Sequence, residues 1–148
     1  MKSSLLVLSL LVGTNAFATG GISCSGENKD VKFEFSATTG IGFGNPIVEA
    51  AGKVEYKDVS APGFDINSVG FDKSNVVNYW GMDLEQTSVA FSVADGEATN
   101  HGVVRGVLKV QASGDGALTG VLELTKKIYG PENYEKTTKN TLALKCQI

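Results

Sequence analysis

Apolar and polar residues alternate with a period of two along most of this chain. Val31, Phe33, Phe35 and Ala37 alternate with Lys32, Glu34 and Ser36. Val48, Ala50, Gly52, Val54 and Tyr56 alternate with Glu49, Lys53, Glu55 and Lys57. The same rhythm runs through Val89–Val93, Val104–Ala112, Leu118–Thr125 and Leu142–Cys146. Strand side chains point to opposite faces in turn, so each run predicts a strand with one dry and one wet face. That is the mark of antiparallel sheets solvated on one side. No segment after the N-terminal region keeps a helical period for three turns.

Weaker strand candidates are Ile22–Ser25, Phe64–Phe71 and Val76–Leu84. In the last, Val76, Trp80, Met82 and Leu84 share one parity, interrupted by Asn78. Asn78 is therefore either a buried, hydrogen-bonded amide or the sign of an irregular strand. Turn chemistry separates the runs. Gly40-Ile41-Gly42-Phe43-Gly44-Asn45-Pro46 links the first two strong strands, and Ala61-Pro62-Gly63 follows the second. Asp95-Gly96 opens a loop expected to reach Gly102. Ser113-Gly114-Asp115-Gly116 is a tight hairpin signal, and Gly130-Pro131-Glu132-Asn133 tops a final hairpin. The expected fold is all-β: a single antiparallel sandwich or small up-and-down barrel of about eight or nine strands.

The N-terminus changes the picture most. Lys2 precedes the apolar run Leu5–Val12, and Ala16-Phe17-Ala18 places small residues where signal peptidase cuts. Residues 1–18 read as a signal peptide and 19–148 as one β domain, exported to the periplasm or the medium. A lipoprotein reading fits poorly, because Gly21-Ile22-Ser23-Cys24 lacks a Leu three positions before the cysteine. An oxidising compartment lets the only two cysteines, Cys24 and Cys146, pair. They lie near opposite ends of the domain, so the bridge would bring the first and last strands side by side. Free buried thiols or a bridge to another chain are the other readings.

The apolar run of the signal is too short to span a bilayer, and no later stretch of roughly 18 apolar residues exists. An outer-membrane barrel would need longer strands and aromatic girdles. Formal charge is −3 for the whole chain and one unit more negative without Lys2. This balance offers no basic footprint for nucleic acid.

Candidate chemistry is sparse. The single histidine, His101, sits in the expected Glu97–Gly102 loop, without a nucleophile turn of the G-x-S-x-G type. Asp83 with Glu85 and Asp95 with Glu97 are i,i+2 acid pairs at expected strand ends. With one histidine and no C-x-x-C, no metal site or cofactor is expected. Gly40, Gly42 and Gly44 lack the helix that would make them a phosphate cradle, but they hold Phe43 at a loop tip as a binding anchor. Lys126, Lys127, Tyr129 and Tyr134 gather about the last turn with Lys136 and Lys139, and exposed Tyr with Lys suits a protein, a glycan or an anionic surface. Its bland counterpart is a solvated hairpin whose lysines discourage edge pairing.

The leading expectation is a small exported bacterial binding or structural module acting through exposed loops. Its partner would be an unknown protein, glycan or small ligand. One alternative is a carrier with an apolar barrel pocket lined by Phe33, Phe35, Tyr56, Phe91 and Leu108. The other is a hydrolase using His101.

Overall fold

A computed structural model describes residues 20–40, 46–57, 66–83, 86–97, 100–113 and 117–148. The expected signal peptide, the Phe43 loop tip and the Asp115 turn lie outside them. Nine antiparallel strands form one nearly closed, barrel-like sheet. They are β1 (Gly20–Glu27), β2 (Val31–Thr39), β3 (Ile47–Tyr56), β4 (Ser68–Asp72), β5 (Val76–Asp83), β6 (Gln86–Glu97), β7 (Asn100–Ala112), β8 (Leu118–Tyr129) and β9 (Glu135–Gln147). Their order in space is β4-β3-β2-β1-β9-β8-β7-β6-β5. The choice between sandwich and barrel thus falls to the barrel. Among the described residues, no helix is long and apolar enough to cross a membrane.

β1 pairs with β9, and there Cys24 stands directly opposite Cys146. The two form a disulfide with a Cα–Cα distance of 4.1 Å, across 122 residues of sequence. That ladder holds only three register pairs, Ser23–Gln147, Cys24–Cys146 and Ser25–Lys145. The sulfur link sits at its centre.

β4 and β5 end the hydrogen-bonded order. Eight antiparallel steps separate them, so they run in the same direction. Only the 3₁₀ turn Lys73–Asn75 divides them in sequence. They behave as one strand that leaves β3 and moves across to β6. Asp72 caps the turn by accepting from the amide and hydroxyl of Ser74, which holds its carboxyl below the usual carboxylate range.

The expected dry faces point inward. Val31, Phe33, Val54, Val89, Phe91, Val104, Leu108, Leu122 and Leu124 are all buried. Phe71 of β4 stacks on Phe91 of β6 with centroids 4.0 Å apart, and Phe33 lies 6.1–6.2 Å from both. Two glycines make room. Gly52 is the cross-strand partner of Phe71, and Gly106 of Phe91. A Cβ on either would stand 2.1 or 2.2 Å from the ring's Cζ. Each ring therefore lies flat over a neighbouring backbone, and the aromatic cluster fills the middle of the barrel. The outer face carries the charges: Lys32 faces Glu55 and Glu34 faces Lys53 across β2 and β3. The ion pairs themselves run along each strand, Lys32 with Glu34 and Lys53 with Glu55, and being exposed they add little stability.

Two expectations change. β6 continues to Glu97 and β7 begins at Asn100, so His101 belongs to a strand and not to a loop. Trp80 does not share the inward parity of Val76. The β5–β6 register shifts between Val76 and Asn78, leaving Val77 as an extra, bulged residue. One added residue flips every later side chain to the other face. Tyr79 turns inward against the core, whereas Asn78 and Trp80 turn out. Asn78 thus marks an irregular strand and is no buried amide.

Candidate functional site

β8 and β9 extend well past the point where β1 stops pairing. The β8–β9 ladder runs from Leu118–Cys146 out to Tyr129–Glu135, and β7 accompanies it as far as His101–Tyr129. The far part of this ribbon forms a rim. Its inward residues become polar there: Thr138, Lys136 and Asn140 are half-buried. Lys136 and Lys139 lie beyond the β1–β9 ladder, which covers Ser25–Lys145 to Ser23–Gln147.

On the outer side of the rim, cross-strand pairing places His101 directly beside Tyr129. Their rings stack with centroids 4.7 Å apart and planes inclined by 23°. The Nδ1 atom of His101 is buried and meets no hydrogen-bond partner among the described residues. Tyr134 packs across Gly130, within 3.2 Å of where a Cβ would stand, and remains 44% exposed. Together with Glu132 and Glu135 these rings line an open groove of about 610 Å³. Lys127 pairs with Glu135 of that lining at 3.3 Å.

The turn that carries Tyr134 is strained. Glu132 (φ 58°, ψ 34°) and Asn133 (φ 60°) both take left-handed backbone. The amide of Tyr134 donates to the carbonyl of Pro131 at 3.1 Å, completing a type I′ hairpin turn. Asn tolerates this conformation, and Glu does so at a cost.

Of the five expected binding residues, Tyr129 and Tyr134 come together on one surface. Lys127 borders them. Lys126 does not join them: it faces inward, 4% exposed, with Nζ 4.1 Å from the Tyr56 ring centroid and donating to the Ile66 carbonyl at 3.4 Å. Parity explains this, since Lys126 shares the inward face of Leu122, Leu124 and Ile128. Its cation sits on an aromatic face where the barrel opens, a favourable desolvated contact. Phe43 lies outside the described residues, as do Glu85 and the side chains of Asp83, Asp95 and Glu97. Among the described residues, no group of three or more His, Cys, Asp or Glu side chains is placed to hold a metal ion.

Sequence reading missed His101 as a partner of Tyr129, because the β6–β7 turn was expected to be longer. Once β7 is carried back to His101, the β7–β8 register that sets Ala112 opposite Leu118 also sets His101 opposite Tyr129. Sequence reading also left Trp80, which is 53% exposed, on the parity of Val76, because the break at Asn78 alone does not decide between a buried amide and an irregular strand. Comparison of the chain with protein-family models, with curated proteins and with solved structures finds no match.

Proposed function

We propose that this chain is an exported, non-enzymatic binding module whose contact surface is the outer rim around His101, Tyr129 and Tyr134. The observation that carries the reading is the stacked His101–Tyr129 pair beside a half-exposed Tyr134 on one groove. Aromatic side chains that expose a face and keep a polar tip dominate binding energetics at small cost in conformational entropy. The rings are carried on hydrogen-bonded strands, so the surface is preorganised.

Export rests on the N-terminal pattern, and a buried disulfide joining the end strands is compatible with it. Charges on the outer face and apolar residues within suit a barrel surrounded by water, not lipid. The carrier alternative would need space where Phe33, Phe71 and Phe91 stack. The hydrolase alternative would need a carboxylate on His101 Nδ1. Neither gains support.

The test is a binding screen of the mature protein against proteins, glycans and small ligands from the native envelope or medium, repeated with Tyr129→Ala/Tyr134→Ala. The partner of the wild-type protein should bind the variant about tenfold more weakly or worse. Equal affinity would remove the rim from function.

A further inference from the structure

We infer that the outer face of β5–β8 carries a second site, independent of the rim, that binds a saccharide against Trp80. The cross-strand register sets Trp80, Ser88, Lys109 and Val121 in one outward row. Gln86, Gln111 and Thr119 form the next row. Together they line a groove of about 360 Å³ with Trp80 as one wall. Ser88, directly opposite Trp80, is too small to cover the indole.

Three observations point to a ligand. First, the only tryptophan of the chain is 53% exposed. Second, it is exposed because Val77 is taken up as a bulge; were Val77 paired regularly, the parity of β5 would carry Trp80 to the inward face with Val76. Bulges commonly re-aim a side chain beside a functional site. Third, the groove offers mainly uncharged hydrogen-bonding side chains. Lys109 is the one cation, and Glu123 stands 4.0 Å away from it.

An aromatic wall with amides and hydroxyls beside it fits the two-sided chemistry of a pyranose. Its C–H face covers the indole, and its equatorial hydroxyls meet Gln86, Gln111 and Thr119. A peptide added as a strand fits less well. The open edge of β5 has register breaks at Val76/Asn78 and again at Gly81/Asp83, so it offers no regular ladder.

Because Trp80 is the sole tryptophan, its fluorescence reports on this groove alone. Cellotriose, tri-N-acetylchitotriose and trigalacturonic acid are titrated at up to millimolar concentration into the mature protein. At least one should shift the emission to the blue. Ser88→Tyr, which fills the groove, and Gln111→Ala should each weaken that response about tenfold while the disulfide-linked fold persists. The Tyr129→Ala/Tyr134→Ala variant should respond as the wild type does, which separates this site from the rim. No emission change with any of the three sugars, or a change that survives Ser88→Tyr, overturns the inference. So does a blue shift that depends on protein concentration alone and coincides with a doubled sedimentation mass, which would assign Trp80 to a contact between copies.

Discussion

Breaking the bond between Cys24 and Cys146 tests what closes the barrel. The link spans 122 residues, and the chain-entropy relation for a loop of that size gives about 5 kcal/mol of stabilisation. A domain of this size is stable by only about 5–15 kcal/mol in total, so the link is a large share. Location sharpens the expectation. The β1–β9 ladder has three register pairs, whereas β8–β9 has twelve. Opening β1 from β9 therefore breaks little else. Reduced wild-type protein, which keeps every atom but the bond, should unfold in urea with about 5 kcal/mol less stability and melt roughly 15–20 °C lower. Its urea m-value should rise, because the uncrosslinked unfolded chain exposes more surface. Cys24→Ala/Cys146→Ala should lose slightly more, since Cys146 Sγ also packs against Gly120. Native-state hydrogen exchange locates the effect: amides of residues 23–25 and 145–147 should lose protection first, and those of β7 and β8 last. A loss below about 1 kcal/mol, with protection at residues 23–25 unchanged, would refute the argument. Packing of Ile22 and Leu144 would then be closing the seam without help from sulfur.

The remaining predictions concern backbone and packing. Gly106→Ala places a Cβ 2.2 Å from Phe91 Cζ and 3.1 Å from Leu124 Cδ2, and Gly52→Ala places one 2.1 Å from Phe71 Cζ. Each should cost about 1–3 kcal/mol or more in urea unfolding, because the two rings are pinned against each other. Gly70→Ala is the control: its Cβ would approach only the Gly52 carbonyl, at 3.9 Å, so a change within about 0.5 kcal/mol is expected. Glu132→Gly relieves a left-handed residue at φ 58° and should raise stability by about 0.5–1 kcal/mol in the same assay. A destabilised Glu132→Gly would show that the turn is held by the glutamate side chain and not merely endured.

Period-two alternation was enough to reveal most of the sheet. Val31–Ala37, Val48–Lys57 and Val104–Ala112 each fall within or almost within a strand. It failed where the barrel wall stops being a wall. Beyond Leu142 toward the hairpin tip, the inward residues Asn140, Thr138 and Lys136 are polar, because β1 no longer closes that side. The contrast between faces fades there, and the alternation stops at Thr125 and resumes only at Leu142, although the two strands of the final hairpin stay paired as far as Tyr129–Glu135. Lys126 is the sharpest case. By parity it belongs inside, by charge outside, and the Tyr56 ring reconciles the two. Trp80 failed for the opposite reason: an apolar bulge residue keeps the apolar count while reversing the faces.

The way the sheet closes bears directly on where function can lie. An up-and-down sheet whose first and last strands pair antiparallel needs an even number of strands to bond all the way round. With nine, the two left over must run the same way, and here they are consecutive: β4 and β5. One kinked strand, hydrogen-bonded first to β3 and then to β6, does the work of an eighth wall. At the kink, closure passes from hydrogen bonds to rings, with Phe71 stacked on Phe91 across the gap and each seated over a glycine. The aromatic cluster is thus what holds the seam shut, and a ligand entering it would open the barrel. The binding proposed above is accordingly placed on the outer surface. Both outward aromatic groups stand where the backbone departs from regular strand geometry, Trp80 behind the Val77 bulge and Tyr134 beside the left-handed pair Glu132–Asn133. Departures of this kind cost stability and concentrate where a side chain has a task outside the core.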